Sequence, residues 1–375
     1  TMKYMFLLLF GVLFADTIFA SQSQICKKCH PIIYEEYYKS SHRNASVYNN
    51  PVHKAMWEAH PKDERGYTCA KCHSPSDIKA LNSGKLERND AQINEPISCV
   101  YCHTIKDIKE QDPSNTNVTT GKNREFYTAE KGKKGKAEYE IRSSWFGLVS
   151  EPKSSPYHKI DYDNENYYSG NVCMGCHSHT NNEHGFDISM LDAVIDEKDK
   201  NSCITCHMPQ VVGTKVTINE TKTHAYHGIA GIYHDSKKMG EYIDLKLSKD
   251  KDGFAITVVN RSNHALFGQA FRQGVLKAEI RRGGRIIKLD PFIFERVLAK
   301  DGKKAMPWDA NEVLKDTLIY AKREVKFKEI LQKGDKLTVT LGVRRISKDA
   351  AKKLGLENNK EVTKFKVLKN VIFDN

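Results

Sequence analysis

The chain of 375 residues contains the pattern C-x-x-C-H five times, at residues 26–30, 69–73, 99–103, 173–177 and 203–207. All ten cysteines lie in these copies. The pattern is the attachment signature of c-type haem, in which two thiols bond to the porphyrin and the next histidine is the proximal iron ligand. We predict five covalent haems c, attached through Cys26, Cys29, Cys69, Cys72, Cys99, Cys102, Cys173, Cys176, Cys203 and Cys206. The predicted proximal ligands are His30, His73, His103, His177 and His207.

Other uses of paired cysteines fit this pattern less well. A C-x-x-C pair can be half of a zinc site or a redox dithiol. A zinc site does not need a histidine directly after every pair, and a thioredoxin-like motif does not occur five times. A disulfide framework would not repeatedly join cysteines three residues apart. Covalent haem is therefore the preferred interpretation.

Low-spin electron carriers need a second strong ligand at iron, and ten histidines lie outside the motifs. They are His42, His53, His60, His158, His179, His184, His224, His227, His234 and His264. Local context favours His42 at the end of a helix, His158 after a Ser-Pro turn, and His224, with His227 as its rival. His264 is predicted to reach a haem from a turn of the C-terminal region, and we slightly prefer His60 to His53. The alternative for each is a solvated or hydrogen-bonded side chain.

The formal charge of +12 does not by itself indicate a nucleic-acid-binding protein. Two propionates on each haem would add about −10 in total, and no basic stripe with interleaved aromatic residues is present. Residues 1–20 resemble a cleaved secretory signal, with a basic start, an apolar run and a small residue at the end. We therefore expect a periplasmic or cell-surface protein that does not span the membrane after cleavage.

The elements around the motifs predict an α+β protein with two domains. Residues 21–220 are expected to form a loop-rich, mainly helical pentahaem domain, with a helix at 32–41 and an exposed insertion at 110–136. Residues 221–375 are expected to form an antiparallel β-sandwich domain, because short alternating segments are separated by turn signals. Hairpins are predicted at 242–260 and 275–289, strands at 318–327, 336–343 and 362–373, and a short helix at 349–356.

Several linking segments resemble a known family. They are the first motif with its following helix to His42, Glu-Pro-Ile-Ser-Cys at 95–99, Ser-Pro-Tyr-His at 155–158, C-x-x-C-H-M-P at 203–209, Thr-His-x-x-x-Gly at 223–228 and the Asn-His turn at 263–264. These segments are similar to those of the tetrahaem cytochromes c of the hydroxylamine-oxidation chain and their multihaem relatives, including an appended C-terminal β-sandwich. The resemblance implies a periplasmic electron carrier within respiration.

Three functions remain open from the sequence. The first is a non-catalytic carrier that passes electrons from haem to haem, with a quinol dehydrogenase or other cytochromes as redox partners. The second is a reductase or oxidase of a small nitrogen or sulfur compound at one haem with an open coordination position. The third is a subunit of an oligomer or cytochrome filament. We favour the carrier over an enzyme.

Overall fold

The computed structural model describes residues 22–61, 64–121, 125–143, 150–189, 191, 202–232 and 234–375. The predicted signal sequence lies outside these ranges. Within them the chain combines short helices with many mostly antiparallel strands, which confirms the predicted α+β class. Among the described residues, no helix has the length and apolar character needed to cross a bilayer.

Short helices dominate the N-terminal region and carry the motifs. Its helices are α1 (Gln22–Lys27), α2 (Pro31–Lys39), α3 (Pro51–Ala59), α4 (Ala70–His73), α5 (Ile78–Ser83), α6 (Asp90–Asn94), α7 (Cys99–His103), α8 (Asn166–Ser169), a 3-10 turn at Asn171–Cys173, α9 (Met174–His177) and α10 (Cys203–His207). Proline at the first position of α2 and α3 starts each helix, because its missing N–H has no partner in a first turn anyway. The helix predicted at 32–41 is confirmed as α2.

Small sheets lie between these helices. Their strands are β1 (Ile105–Lys109), β2 (Thr116–Thr119), β3 (Glu125–Tyr127), β4 (Lys136–Ala137), β5 (Glu140–Ser143), β6 (Ser150–Lys153), β7 (Lys159–Asp161), β8 (Gln210–Val212) and β9 (Thr223–Ala225). The prediction of an exposed insertion at 110–136 is wrong in part. Asn115 is buried, and its side chain donates to the carbonyl of Met174 in the fourth motif at 3.2 Å. This segment therefore packs against the motifs.

The C-terminal region consists mainly of antiparallel strands. They are β10 (Ile243–Asp250), β11 (Gly253–Asn260), β12 (Gln273–Arg282), β13 (Arg285–Lys288), β14 (Phe292–Phe294), β15 (Arg296–Lys300), β16 (Lys303–Lys304), β17 (Glu312–Asp316), β18 (Lys322–Phe327), β19 (Lys336–Arg344) and β20 (Lys366–Asp374). The helices here are α11 (Ser236–Met239), a 3-10 turn at Gly240–Tyr242, α12 (Lys348–Lys353) and α13 (Lys360–Thr363).

Two of the sheets share one apolar core. One has the order β10-β11-β18, and the other has the order β13-β12-β19-β20 with β14 also paired to β12. Alternate side chains of β11, such as Ile256 and Val258, meet Leu276 and Ile280 of β12 in the same fully buried cluster. Alternation of this kind on two facing sheets is the packing of a β-sandwich.

The predicted hairpins are confirmed as β10–β11 and β12–β13, and the helix predicted at 349–356 is confirmed as α12. The last strand begins later than predicted. The side chain of Asn359 caps a helical turn at Lys360–Thr363, so β20 starts at Lys366. Strands β14 to β17 were not predicted. They are short, and their burial does not alternate regularly, so the sequence gives only a weak period-two signal there.

The two regions are in direct contact. Val52 of α3 packs against a small cluster formed by Ile346, Ala351 and Val362 at the end of the sheet region. The turn that contains His264 also lines the cavity between the motif helices. The sheet region therefore forms one wall of the space that the motifs surround.

Candidate haem-binding site

A single large cavity runs through the N-terminal region. Its volume is about 3990 Å³, and all ten cysteines and all five motif histidines line it. Cavities for one small ligand are typically about 300–1000 Å³, so this space suits several large groups rather than one. The surface that its walls present is mostly apolar, which is the surface that porphyrins require.

Each motif forms a turn of helix, and this explains the spacing of its residues. The amide of His30 donates to the carbonyl of Cys26 at 2.8 Å, and the amide of His73 donates to that of Cys69 at 2.9 Å. Residues three and four apart are neighbours on a helix surface, so both thiols and the imidazole of one motif lie on the same face. Serine caps begin two of these turns, at Ser98 and Ser202.

Four motif histidines face a histidine from a distant part of the chain. The ring centroids are 6.2 Å apart for His30–His158, 6.0 Å for His177–His42, 6.3 Å for His103–His227 and 6.3 Å for His207–His264. A metal about 2.0–2.1 Å from a nitrogen of each of two imidazoles separates the ring centroids by about 6.3 Å. These four pairs therefore have room for one iron between the rings.

Backbone carbonyls orient most of these rings through Nδ1. The Nδ1 atoms of His30, His103 and His207 lie 2.6, 2.7 and 2.5 Å from the carbonyl oxygens of Lys215, Tyr127 and Ala230. On the opposing side, Nδ1 of His227 lies 2.7 Å from its acceptor and Nδ1 of His264 lies 3.0 Å from its acceptor. A carbonyl can only accept, so Nδ1 donates and Nε2 keeps its lone pair for a metal.

Burial also favours the metal-binding form of these imidazoles. Burial, followed by the nearby His177, lowers the pKa of His42 to about 4. Burial, followed by His103, lowers the pKa of His227 to about 4. Both rings are therefore neutral at physiological pH, which is the form that binds iron.

The second motif is different. The rings of His73 and His53 are only 4.0 Å apart, which leaves no space for a metal between them. Their Nδ1 atoms lie 3.2 and 3.0 Å from the same carbonyl oxygen, that of Ala45, so the two rings lie side by side. The remaining nitrogen of His53 faces the hydroxyl of Tyr67 at 3.3 Å. Burial, then His73, lowers the pKa of His53 to about 3, so His53 is a neutral acceptor for this hydroxyl.

His60, the residue predicted to serve as a ligand near this motif, packs elsewhere. It follows the last residue of α3, and its ring lies 6.2 Å from Trp57 and 5.0 Å from Trp308. Among the described residues, no motif histidine has a ring contact with His60. The structure therefore does not support His60 as a partner of His73.

His224 is also not placed as predicted. Its side chain is 1% exposed, its Nε2 lies 3.0 Å from a carboxylate oxygen of Glu36, and its Nδ1 lies 3.0 Å from the carbonyl oxygen of Gly213. Both ring nitrogens face acceptors and neither is free for a metal. The structure brings the rival, His227, to His103 instead. Both histidines lie in one short segment, and no sequence pattern distinguishes them.

The remaining histidines do not face a motif. His179 lies 3.6 Å from Asp112, while His184 and His234 are exposed. Among the predicted second ligands, the structure thus brings His42, His158 and His264 to motif histidines, and it does not bring His60 or His224 there.

Contacts between cysteines show which motifs are neighbours. The thiols of Cys26 and Cys99, of Cys72 and Cys176, and of Cys173 and Cys203 lie close enough to shift each other's pKa. The first motif therefore adjoins the third, the second adjoins the fourth, and the fourth adjoins the fifth.

The third and fourth motifs are also close. The pKa of the Cys173 thiol in the fourth motif is raised by its contact with Cys203, by burial and by the charges of Cys203 and Cys102. Cys102 belongs to the third motif, so the third and fourth motifs are neighbours. Asn117 makes a second connection, since its amide donates to the hydroxyl of Tyr101 at 3.1 Å and to the sulfur of Cys176 at 3.5 Å. In space the motifs therefore run first, third, fourth and fifth, with the second beside the fourth.

Comparisons with known proteins agree with the motifs. The model of the family "cytochrome c554 and c-prime" matches residues 25–104, which contain the first three motifs. No curated protein sequence matches the chain. A solved structure, a penta-heme cytochrome c552 from Thermochromatium tepidum, matches with a TM-score of 0.69 and 20% identity, over 94% of this chain and 98% of that chain. The likeness shows that the two chains share a fold.

A second solved structure, superoxide reductase from Nanoarchaeum equitans, matches 27% of this chain and 79% of that chain, with 12% identity and a TM-score of 0.18. That score is too low to relate the two folds. The motifs, the family match and the shared fold together support the interpretation of the chain as a multihaem c-type cytochrome.

Proposed function

We propose that the protein carries five covalent haems c and transfers electrons between them. The observation that carries this proposal is the facing of four motif histidines by distant histidines at ring separations of 6.0–6.3 Å. His158, His227, His42 and His264 would then be the second ligands at the first, third, fourth and fifth motifs. Bound haem supplies a one-electron Fe(III)/Fe(II) couple.

The residues around the paired histidines suit a carrier. Carbonyls that contact Nδ1 hold five of the eight rings in one orientation, and a fixed pair of imidazoles suits both oxidation states equally. Little structural change would then accompany each transfer. The contacts between neighbouring thiols support electron passage in the order first, third, fourth and fifth motif, with the second motif as a branch from the fourth.

The place of this function is also a proposal. The apolar leader at residues 1–20 and the thioether chemistry support maturation outside the bacterial cytoplasmic membrane, in the periplasm or at the cell surface. The partners would be redox proteins of a respiratory chain, such as a quinol dehydrogenase or other cytochromes.

A reductive titration of the exported holoprotein tests the carrier function. We expect five electrons per chain, and a pyridine haemochrome assay should give five haems per chain. A matched variant with Cys99→Ala and Cys102→Ala should take up one electron fewer. Uptake of far fewer than five electrons by fully processed protein would contradict the proposal.

The second motif favours a second candidate function, the reduction of a small nitrogen or sulfur compound. The observation is that His53 is held beside His73 and directs its free nitrogen to Tyr67, so it does not oppose His73 as a ligand. An open position at this haem would admit a small molecule. Addition of nitrite or hydroxylamine should then shift the spectrum of one haem in five, and no shift would remove this candidate.

A further inference from the structure

A partly buried carboxylate connects two of the proposed haem sites. Glu36 lies on α2, the helix that starts directly after His30 of the first motif. One oxygen of Glu36 accepts a hydrogen bond from the backbone N–H of His227 at 2.9 Å. The other lies 3.0 Å from Nε2 of His224. The side chain of Glu36 is 17% exposed and that of His224 is 1% exposed.

The hydrogen bonds of His224 explain why this carboxylate has a fixed orientation. Nδ1 of His224 donates to the carbonyl of Gly213 on the loop after β8. Its Nε2 makes the second contact of the ring, with a carboxylate oxygen of Glu36. His224 is therefore a fixed partner for one oxygen of Glu36. The second oxygen of Glu36 is then oriented to accept from the N–H of His227. Hydrogen bonds to a carboxylate are among the stronger ones in proteins.

His227 needs such support because it lies in a turn after β9 and not in a helix or strand. Its ring is held by one local contact, between Nδ1 and the carbonyl of Ala225. Its backbone N–H is held by Glu36. The N–H of Tyr226 donates to the carbonyl of Pro209, and the N–H of Ala230 donates to the carbonyl of His207, so both ends of this turn are fixed. Glu36 is the contact at the backbone of His227 itself, and without it a small displacement would move Nε2 away from the position opposite His103.

We propose that Glu36, oriented by His224, is a positioning residue that holds His227 as the second ligand at the third haem. The inference rests on the proposed function, since it needs iron between His103 and His227. It also gives the buried His224 a role, although His224 binds no metal. Through Glu36, helix α2, which follows the first motif, would fix the position of the second iron ligand at the third motif.

Electron paramagnetic resonance of the oxidised holoprotein tests this role. In Glu36→Ala, one low-spin signal should decrease by more than half, with a matching gain of high-spin iron, while the haem content stays at five per chain. Glu36→Gln should keep that signal, because the amide oxygen can still accept from His227, but at a shifted g value and with a shifted midpoint potential for one haem. His224→Asn should give an intermediate loss.

A matched control and a double variant complete the test. Glu35 is the neighbour of Glu36, is half exposed and pairs with Lys27 at 2.7 Å, so Glu35→Gln should leave every signal unchanged. His227→Ala should abolish the same signal, and adding Glu36→Ala should cause no further change, because both residues act at one site.

The outcomes are distinguishable from failure of the proposed function. A wild-type protein with far fewer than five haems, or without low-spin iron, would refute the carrier and not the positioning role alone. Wild-type signals and potentials in Glu36→Ala would overturn the positioning role and leave the carrier intact. If Glu36→Ala does not mature, Glu36→Gln and His224→Asn decide the question, and unchanged g values and potentials in both would overturn it.

Discussion

At four motifs the histidine ring faces a distant histidine at 6.0–6.3 Å, whereas at the second motif His73 lies beside His53 at 4.0 Å. Nδ1 of His227 and of His264 contacts a carbonyl, which leaves Nε2 for a metal, whereas Nε2 of His53 contacts the hydroxyl of Tyr67. The difference shows that a nearby histidine is not enough for a second ligand. At the second motif, Nδ1 of His53 and Nδ1 of His73 share one acceptor, the carbonyl of Ala45, so the two rings lie side by side and do not oppose each other.

The largest effect is expected from removing a facing histidine. His42→Ala and His264→Ala should each convert one low-spin iron completely to high spin, because among the described residues no other distant histidine has a ring contact with His177 or His207 at about 6 Å. His60→Ala is the matched control and should leave all signals unchanged. Electron paramagnetic resonance measures the result, and an effect of His60→Ala equal to that of His42→Ala would reverse the assignment.

A smaller effect, on one haem in five, is expected from an external ligand. Cyanide should bind rapidly to about one ferric haem per wild-type chain, at the second motif, and to about two in His42→Ala. Optical titration measures the stoichiometry. If cyanide binds rapidly to no haem of the wild-type chain, a protein ligand must occupy the iron position opposite His73.

The smallest effect is expected at His53. His53→Phe removes one partner of the buried Tyr67 hydroxyl, which also bonds to Ser74 and to the backbone of Val47, and the loss of one hydrogen bond costs about 0.5–1.5 kcal/mol in the free energy of unfolding. The number of low-spin irons should not change. Urea unfolding measures the free energy of unfolding, and electron paramagnetic resonance counts the low-spin irons. Tyr67→Phe is the paired variant that removes the hydroxyl donor. Loss of a low-spin signal in His53→Phe would show that His53 binds iron.

The sequence was informative where chemistry requires a fixed local spacing. The motifs, the helix after the first of them and the strong hairpins around β11 and β12 could be predicted, because each depends on residues close together in the chain. His42 and His264 were also placed among the candidates by local context. In both cases, the partner across the cavity could not be predicted.

The remaining features depend on tertiary contacts that leave no local pattern. The ring of His224 meets Glu36 and the ring of His227 meets His103, and both of these partners are far away in the sequence. The Nδ1 acceptors are backbone carbonyls, such as that of Ala45, which any residue could supply. The sequence therefore predicts which residue types form the site but not which histidines face each other.

The most direct test of this account is a count of iron spin states in the oxidised, exported holoprotein. Quantitative electron paramagnetic resonance, normalised to haem content, should find four low-spin irons and one high-spin iron per chain. Fewer than four low-spin irons per five haems would contradict the pairing of histidines on which the account rests, and five would contradict the separate character of the second motif.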